Sequence, residues 1–209
     1  MCNLYRMTKA EAEVARLFQV ENHAAGSNRG ELVYPGQQGL VVAEGKLRTM
    51  TWGFPLVLKG KNGQLLKPKP VNSARTDKLD SFMWRYSFVE RRCLIPLTAY
   101  AEAEGEKGSK TRTWMAVTDV ALAPEGVVAA AGLWRTTPEW GDAYAMVITN
   151  ACQAVSHVHH RMPVLLAPGE WDAWLTGDLS AAEGLCRPWA HPIEVERTGE
   201  SWAGLATAS

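Results

Sequence analysis

The run VVAAAGLW, residues 127–134, contains no charged or hydroxyl side chain and predicts a strand buried in a hydrophobic core. Other short runs that contain several apolar residues also predict extended segments. They lie at residues 40–43, 47–52, 93–95, 113–118, 143–149, 154–160 and 192–196. Only Glu44-Gly45 separates the first two of these, which indicates a hairpin, and residues 104–110 are predicted to form a longer hairpin tip.

Helical patterns are fewer and shorter. They predict helices at residues 8–20, 81–91, 168–175 and 180–185. Thr8 and Glu11 have the spacing of a capping box at the start of the first helix. Many short strands with a few peripheral helices predict an α+β fold, with a curved sheet or barrel-like core. We expect a single β-rich domain over residues 1–209, in which residues 167–209 supply C-terminal helices and a strand.

The charges balance overall but are unevenly distributed. The chain has 209 residues, with 22 basic and 22 acidic side chains, so its net charge favours no class of partner. Residues 59–92 contain nine basic and three acidic side chains, whereas residues 168–200 contain seven acidic side chains and two arginines. The middle of the chain can therefore face a polyanion, although for residues 59–69 alone we prefer a solvated lysine-rich loop.

Four cysteines are present, at positions 2, 93, 152 and 186, and none forms a CxxC pair. A zinc ribbon or a thioredoxin motif is therefore not expected. We find no apolar signal segment at the N-terminus and no run of membrane-spanning length. These features predict a cytoplasmic protein with reduced thiols and without a membrane partner.

Cys2 directly follows Met1, and this position gives it a chemistry that an internal cysteine lacks. A small second residue usually permits removal of Met1, which leaves Cys2 with a free α-amine beside its thiol. Such a 1,2-aminothiol condenses with an aldehyde to an imine, and the thiol then closes a five-membered thiazolidine ring. The ordinary pKa of an α-amine, about 7.7–8.0, leaves a useful fraction neutral near pH 7. The alternative is that Cys2 is simply a small residue tolerated at an N-terminus.

Three histidines, His157, His159 and His160, precede the RMP segment at residues 161–163. On a strand, His157 and His159 would share one face. Two imidazoles can bind a metal, but no carboxylate or cysteine lies at a supporting spacing, so we expect no metal site. We favour proton transfer by a single imidazole near pH 7, and a polar strand end is the alternative.

Other candidate groups are a carboxylate, an arginine and an aromatic ring. Glu102 has small apolar neighbours, and partly apolar surroundings can tune a carboxyl to act as acid or base; an exposed hairpin glutamate is the alternative. Arg75 ends the segment Asn72-Ser73-Ala74-Arg75 and can hold a phosphate. Trp52 can stack on an unpaired base, although a core tryptophan is the more common role.

The order of these pieces resembles the SRAP family, the SOS-response-associated peptidase-like proteins that process abasic sites in single-stranded DNA. The similarity extends from Cys2 to residue 166. Its motifs are Cys2, Tyr34-Pro35-Gly36, Trp52-Gly53, Asn72 to Arg75, Arg92-Cys93-Leu94-Ile95-Pro96, Glu102, Gly132-Leu133-Trp134, Thr149 and His159-His160-Arg161-Met162-Pro163. The combination of Cys2 with a distant His-x-Arg-Met-Pro is specific, whereas Gly-Leu-Trp and Trp-Gly alone are weak.

The resemblance implies that Cys2 crosslinks to the aldehyde of an abasic site as a thiazolidine, with weak lyase activity and removal of its own Met1 as further activities. Glu102 and His159 are then the acid–base pair, and Asn72 orients the sugar. The implied DNA contacts are Pro35, Trp52, Ser73, Arg75, Arg85, Thr149 and Arg161. We expect no cofactor, and a monomer that joins the nucleoid when it acts on abasic single-stranded DNA.

One departure from the family pattern affects Asn72. The family has Asn-x-Arg where this chain has Asn72-Ser73-Ala74-Arg75. Counting back from Glu102 favours Asn72 as the family asparagine, whereas counting back from Arg75 puts Ser73 there. We choose Asn72.

Two other functions remain open. A thiol peptidase would use Cys2 and His159 but would not need the α-amine or the basic segment. A non-covalent single-strand binder would need Trp52, Arg75 and Arg161 but not Cys2. Acetylation of the Cys2 amine distinguishes them from a crosslinking protein, because it prevents only the crosslink.

Overall fold

The computed structural model describes residues 2–27 and 29–202. The strands in this part of the chain are β1 Leu4–Arg6, β2 Glu21–Asn22, β3 Leu32–Val33, β4 Gln38–Ala43, β5 Lys46–Trp52, β6 Phe54–Leu56, β7 Lys69–Val71, β8 Ser73–Arg75, β9 Arg92–Leu97, β10 Ala99–Glu104, β11 Thr111–Ala116, β12 Val128–Thr137, β13 Gly141–Asn150, β14 Arg161–Pro163, β15 Leu165–Leu166 and β16 Glu194–Ser201. The α-helices are α1 Glu11–Leu17, α2 Arg85–Glu90, α3 Trp171–Thr176 and α4 Leu179–Leu185. Short 3-10 turns lie at Thr76–Lys78, Pro124–Gly126 and Pro168–Glu170.

Five strands close into a barrel. Their order is β13, β12, β9, β4 and β5, and β5 then pairs in parallel with β13 through Ala143↔Thr51 and Tyr144↔Trp52. The apolar run at 127–134 forms most of β12, which is buried between β9 and β13. The closed barrel and the few short helices confirm the expected β-rich α+β fold with a barrel-like core.

The predicted hairpin joins β4 to β5 through Glu44 and Gly45, which have φ angles of 52° and 71°. Two consecutive residues with positive φ give the tight turn whose twist matches the flanking strands. At the other end of β4, a Cβ on Gly39 would lie 2.1 Å from the hydroxyls of Tyr5 and Tyr144. Only glycine therefore allows β4 to pass this buried tyrosine pair.

A second sheet, in the order β16, β11, β10, β1 and β3, brings the N-terminus beside the middle of the chain. Strand β1 pairs with β10 through Leu4↔Ala101 and Tyr5↔Tyr100. Strand β10 in turn pairs with β11, where Glu102 lies opposite Thr113. Because β1 begins at Leu4, this pairing carries Cys2 to the part of β10 that contains Glu102.

The first helix is shorter than predicted. It begins at Glu11 instead of residue 8, and the backbone N–H of Ala10 donates to the Glu13 carboxylate at 3.0 Å. Glu11 is not the capping carboxylate, because it accepts hydrogen bonds from Ser27 and Arg29 instead. The predicted capping box at Thr8 and Glu11 is therefore wrong by two residues, since a tertiary ion pair takes the first glutamate.

The extended segment predicted at residues 154–160 is also wrong. This segment folds as successive turns, in which Val155 and Ser156 donate to the Cys152 carbonyl and His159 donates to the Val155 carbonyl. The strand β14 begins only at Arg161. The strand-face argument for His157 and His159 therefore fails, and His159 enters the site from a turn.

The C-terminal helices pack on the barrel around Arg92. Its guanidinium donates to the carbonyls of Phe88, Trp174 and Gly177, and the Trp174 indole donates to the Cys93 carbonyl at 2.9 Å. Helices α3 and α4 and strand β16 occur where sequence predicts helices and a strand, and residues 203–209 lie outside the described part. No helix in the described ranges is long and apolar enough to cross a membrane.

Candidate active site

Asn72 holds the N-terminal segment in place. Its side-chain amide donates to the Cys2 carbonyl at 2.8 Å and to the Asn3 side-chain oxygen at 3.2 Å. Asn72 is buried between β7 and β8, and its own carbonyl accepts from the Trp52 indole at 3.1 Å and from the Met146 backbone at 2.9 Å. The asparagine is thus fixed by the barrel on one side and fixes Cys2 on the other.

The Cys2 thiol is enclosed, with 1% of the residue exposed. Its Sγ lies 3.7 Å from the Leu4 carbonyl. Burial raises the pKa of the thiol strongly, and the nearby Glu102 carboxyl raises it further. The sulfur therefore keeps its proton at neutral pH until a base accepts it.

Glu102 is a buried carboxyl beside this thiol. The residue is 4% exposed and lies on β10, between β1 and β11. Burial raises the pKa of Glu102 to about 7, because removal from water penalises the charged form. Near neutral pH both protonation states are populated, so this group can give a proton in one step and take one in the next. The exposed hairpin glutamate considered from sequence is excluded.

His159 lies next to the Glu102 carboxyl. Its Nδ1 lies 3.7 Å from the Glu102 Oε1 and 3.1 Å from the backbone nitrogen of Arg161. The Arg161 N–H suits an accepting Nδ1, whereas the Arg161 carbonyl, also 3.1 Å away, suits a protonated Nδ1, so the neutral ring can hold its proton on either nitrogen. Burial lowers the pKa of His159, which favours this neutral form. The ring of His160 lies 4.3 Å away.

Metal ligation does not explain this cluster. Within residues 2–27 and 29–202 there is no group of three or more His, Cys, Asp and Glu side chains that could hold an ion. The contacts of His159 are to a backbone amide and a carboxyl, which suits proton transfer better than metal binding.

Two arginines flank β13 close to this site. Arg75 lies opposite Ile148 on one side of the strand, and Arg161 lies opposite Asn150 on the other. The exposed Arg75 guanidinium forms a two-point ion pair with Asp77, with an Nε–Oδ1 distance of 2.9 Å. Arg161 also acts electrostatically on Asp77. Arg75 and Arg161, the predicted phosphate contacts, therefore lie close enough together that both act on the Asp77 carboxylate.

The expected role of Trp52 in base stacking is wrong. The residue is 0% exposed, with Tyr5 edge-on at 5.0 Å and Tyr144 stacked at 6.4 Å between ring centroids. A ring enclosed by protein on both faces cannot receive a base. Thr149 is also buried; it is part of β13 and lies opposite Met162 of β14.

The other predicted DNA contacts differ in exposure. Pro35 and Ser73 are half-buried, and Ser73 directly follows the anchoring Asn72. Arg85 is exposed and its guanidinium lies over the rings of Phe82 and Tyr86, at 5.7 and 4.7 Å from their centroids. Arg85 therefore belongs to an exposed aromatic patch on α2 and the turn before it.

Sequence reasoning missed two residues near Cys2. Asn3 accepts a hydrogen bond from Asn72 and so shares the anchoring of the N-terminus. Tyr100 lies two residues before Glu102 on β10 and is buried. Alternation along a strand would have put Tyr100 on the Glu102 face, but that strand was not predicted.

The family model that matches this chain describes the SOS response associated peptidase (SRAP) proteins, and it aligns with residues 1–199. The chain belongs to the SRAP family. Membership supports a DNA-damage-associated function and an association with DNA. The match includes Cys2, Asn72, Glu102 and His159, the four residues that the structure brings together.

Solved structures share the SRAP fold of this chain at low sequence identity. A protein from Bacteroides thetaiotaomicron is 17% identical with a TM-score of 0.75, over 94% of this chain and 91% of its own. A protein from Bordetella bronchiseptica is 21% identical with a TM-score of 0.74, over 94% and 99% of the two chains. A phage-related protein from the same organism is 16% identical with a TM-score of 0.65, over 94% of each chain. No protein in the curated set matches this chain.

Proposed function

We propose that this SRAP protein captures abasic sites in single-stranded DNA by forming a thiazolidine with Cys2 after Met1 is removed. The observation that carries this proposal is the pairing of a buried Cys2 with Glu102, whose pKa is raised to about 7. Asn72 fixes the Cys2 carbonyl at 2.8 Å and so orients the amine and thiol of the same residue. A methionine aminopeptidase or the protein itself removes Met1.

The first steps use Cys2 as an amine. An abasic sugar opens to an aldehyde, and a proton delivered to the ring oxygen assists this opening; the imidazole of His159 is the donor that we assign. The neutral α-amine attacks the aldehyde carbon and gives a carbinolamine. Protonated Glu102 then donates to the leaving hydroxyl, water departs, and a protonated imine remains.

The imine explains both the stable product and a side reaction. Attack by the Cys2 sulfur closes the thiazolidine, which sequesters the aldehyde and prevents strand breakage. If the imine instead loses a proton from the neighbouring sugar carbon, β-elimination follows, so weak lyase activity is part of the proposal. A single copy of the chain supplies Cys2, Glu102 and His159, and we propose that it acts as a monomer.

A thiol peptidase is a weaker interpretation of the same residues. Cysteine nucleophiles react as thiolates and are usually activated by a lowered thiol pKa. In this site, burial raises the pKa of the Cys2 thiol most strongly, and the Glu102 carboxyl raises it further. The amine route does not need a preformed thiolate.

We expect the purified protein to lack Met1 and to gain the mass of an abasic oligonucleotide minus one water. The amine must be free to attack the aldehyde, and condensation releases one water molecule. Intact mass spectrometry before and after incubation with abasic single-stranded DNA measures both quantities. A chain that keeps Met1 and still crosslinks would contradict the aminothiol mechanism. A chain acetylated on Cys2 is the matched control and should bind DNA without crosslinking.

We expect Arg161→Ala to weaken capture of DNA without removing the chemistry. Loss of one phosphate contact on a single strand lowers the slope of log affinity against log salt by about 0.7. Arg75→Ala should lower it by less, because Asp77 already neutralises part of this guanidinium. Titrating affinity at several salt concentrations measures both slopes.

Arg16→Ala is the matched control for these substitutions. Arg16 is an exposed arginine paired with Glu125 at 2.8 Å, on α1 and away from β13. Its loss removes the same charge and should leave the salt slope unchanged. Equal slopes for wild type and Arg161→Ala would remove Arg161 from the DNA contacts.

A further inference from the structure

Tyr100 occupies a special position on β10. It lies two residues before Glu102, so both side chains point to the same face of the strand. The residue is 1% exposed and pairs across the sheet with Tyr5 of β1, the strand that follows Cys2. Tyr100 and Cys2 both pack in the main hydrophobic core, whereas Ala99 and Ala101 pack in a separate cluster. The phenol is therefore held rigidly on the side of β10 where the proposed chemistry takes place.

The Tyr100 hydroxyl is buried and has no hydrogen-bond partner among the described residues. A buried polar group without a partner is costly to a folded protein, and such groups are rare. The two neighbouring buried tyrosines, Tyr5 and Tyr144, avoid this cost because their hydroxyls bond to each other. A phenylalanine would fill the position of Tyr100 without the penalty. Retention of the hydroxyl indicates a use outside the resting fold.

Three groups act electrostatically on the Tyr100 hydroxyl, and two of them belong to the proposed site. The three groups are Cys2, Cys152 and Glu102. Burial raises the pKa of Tyr100 well above its usual range, so the phenol keeps its proton and cannot serve as a base. What it offers to the site is one O–H donor. Among these neighbours, the Cys2 sulfur is the atom that gains negative charge during the proposed reaction.

We propose that the Tyr100 hydroxyl donates a hydrogen bond to the Cys2 sulfur while the thiazolidine ring closes. This assignment rests on the proposed function and adds a catalytic residue to it. It also resolves a difficulty of the site, because a thiol surrounded by apolar groups loses its proton reluctantly. A buried donor held near the sulfur stabilises charge at the moment when it develops.

The ring-closing step balances without any further reactant. Glu102 is a carboxylate at this point, having given its proton to the departing water. It accepts the thiol proton of Cys2, the sulfur lone pair forms the carbon–sulfur bond, and the π pair of the protonated imine returns to nitrogen as a lone pair. Tyr100 keeps its proton throughout. No atom changes its oxidation state through an external oxidant or reductant.

The test is Tyr100→Phe, assayed for imine and thiazolidine separately. Borohydride reduces the imine to a stable amine, whereas heating in detergent without borohydride hydrolyses the imine and leaves the thiazolidine. We expect imine formation within about twofold of wild type and thiazolidine formation about tenfold slower, since a hydrogen bond to a charged group has that order of effect. The melting temperature should be unchanged or higher, because the variant no longer buries an unpartnered hydroxyl.

Tyr5→Phe is the matched control. It deletes the same atom from the cross-strand partner of Tyr100 and leaves the Tyr144 hydroxyl without its bond. We expect this variant to melt at a lower temperature and to close the ring at the wild-type rate.

Three outcomes would overturn the role of Tyr100. Thiazolidine formation at the wild-type rate in Tyr100→Phe would leave the hydroxyl without a catalytic role. Equal slowing of imine and thiazolidine would move its action to an earlier step and away from sulfur. A selective loss of ring closure in Tyr5→Phe as well would show that any disturbance of this core has the same effect. If wild type forms neither product, the proposed function itself fails, and that result is separate from these three.

Discussion

Cys2→Ala is expected to lose the heat-stable DNA adduct completely. The variant keeps an N-terminal amine and can form an imine, but it has no sulfur to close the ring. Cys2→Ser should behave similarly, because oxygen closes the five-membered ring less stably than sulfur. Denaturing gels of heated samples, run with and without borohydride, separate the two products. We expect the band without borohydride to disappear in both variants and the band with borohydride to remain.

The other cysteines supply the control for this experiment. Cys186 is half-buried near the end of α4, and burial raises the pKa of its thiol to about 11. Cys186→Ala removes a thiol from the same chain and should leave the adduct undiminished. A full-strength heat-stable band from Cys2→Ala would identify another residue as the nucleophile and contradict the proposed function.

Glu102→Gln should crosslink about 10²–10⁴-fold more slowly, since this is the usual contribution of one general acid or base. Glutamine keeps the shape of the side chain and removes the proton transfers. DNA binding should be preserved, because Glu102 is buried and carries no positive charge for a phosphate. The wild-type rate should be highest near the Glu102 pKa of about 7, because dehydration needs the acid and ring closure needs the base. Single-turnover rates across pH measure this profile.

The raised pKa of Glu102 also predicts an effect on stability, with a definite sign. Folding favours the protonated carboxyl, so its stabilising contribution is complete below the ordinary pKa of 4.5 and is lost as pH rises through about 7. An upward pKa shift of this size lowers the free energy of unfolding by about 3 kcal/mol at pH values above that range. Glu102→Gln should therefore melt higher than wild type at pH 8 and close to it at pH 5. Equal melting temperatures at pH 8 would show that folding does not raise the pKa of Glu102.

His159→Ala separates ring opening of the sugar from the later steps. We expect it to bind abasic DNA normally and to crosslink slowly, because the assigned donor to the sugar oxygen is missing. A substrate with a permanently open aldehyde should partly rescue His159→Ala but not Glu102→Gln. The same single-turnover assay on closed and open substrates measures the rescue. If both variants recover equally, or neither does, the two residues do not divide the reaction as proposed.

Local patterns predicted the strands better than the turns. The run at 127–134 became β12, and Glu44-Gly45 became the β4–β5 turn, because a continuous apolar run and a positive φ are properties of neighbouring residues. The extended segment predicted at residues 154–160 was wrong because local patterns omit tertiary contacts and turns. These residues contain strand-forming valines, but hydrogen bonds to the Cys152 and Val155 carbonyls wind the segment into turns. The Trp52 error has another cause, since one aromatic residue carries no information about what covers it.

The order of the amino acids is enough to predict a β-rich fold, a cysteine at position 2 and motifs in the SRAP order. The folded chain is needed to show that Asn72 holds Cys2, that Glu102 is buried beside it, and that His159 faces Glu102 from a turn. The reason is that a buried carboxyl owes its pKa to the loss of water, which depends on strands far apart in the chain. Pairing of β1 with β10 brings Leu4 opposite Ala101, and with it Cys2 to Glu102. A local sequence pattern cannot predict this contact between distant parts of the chain.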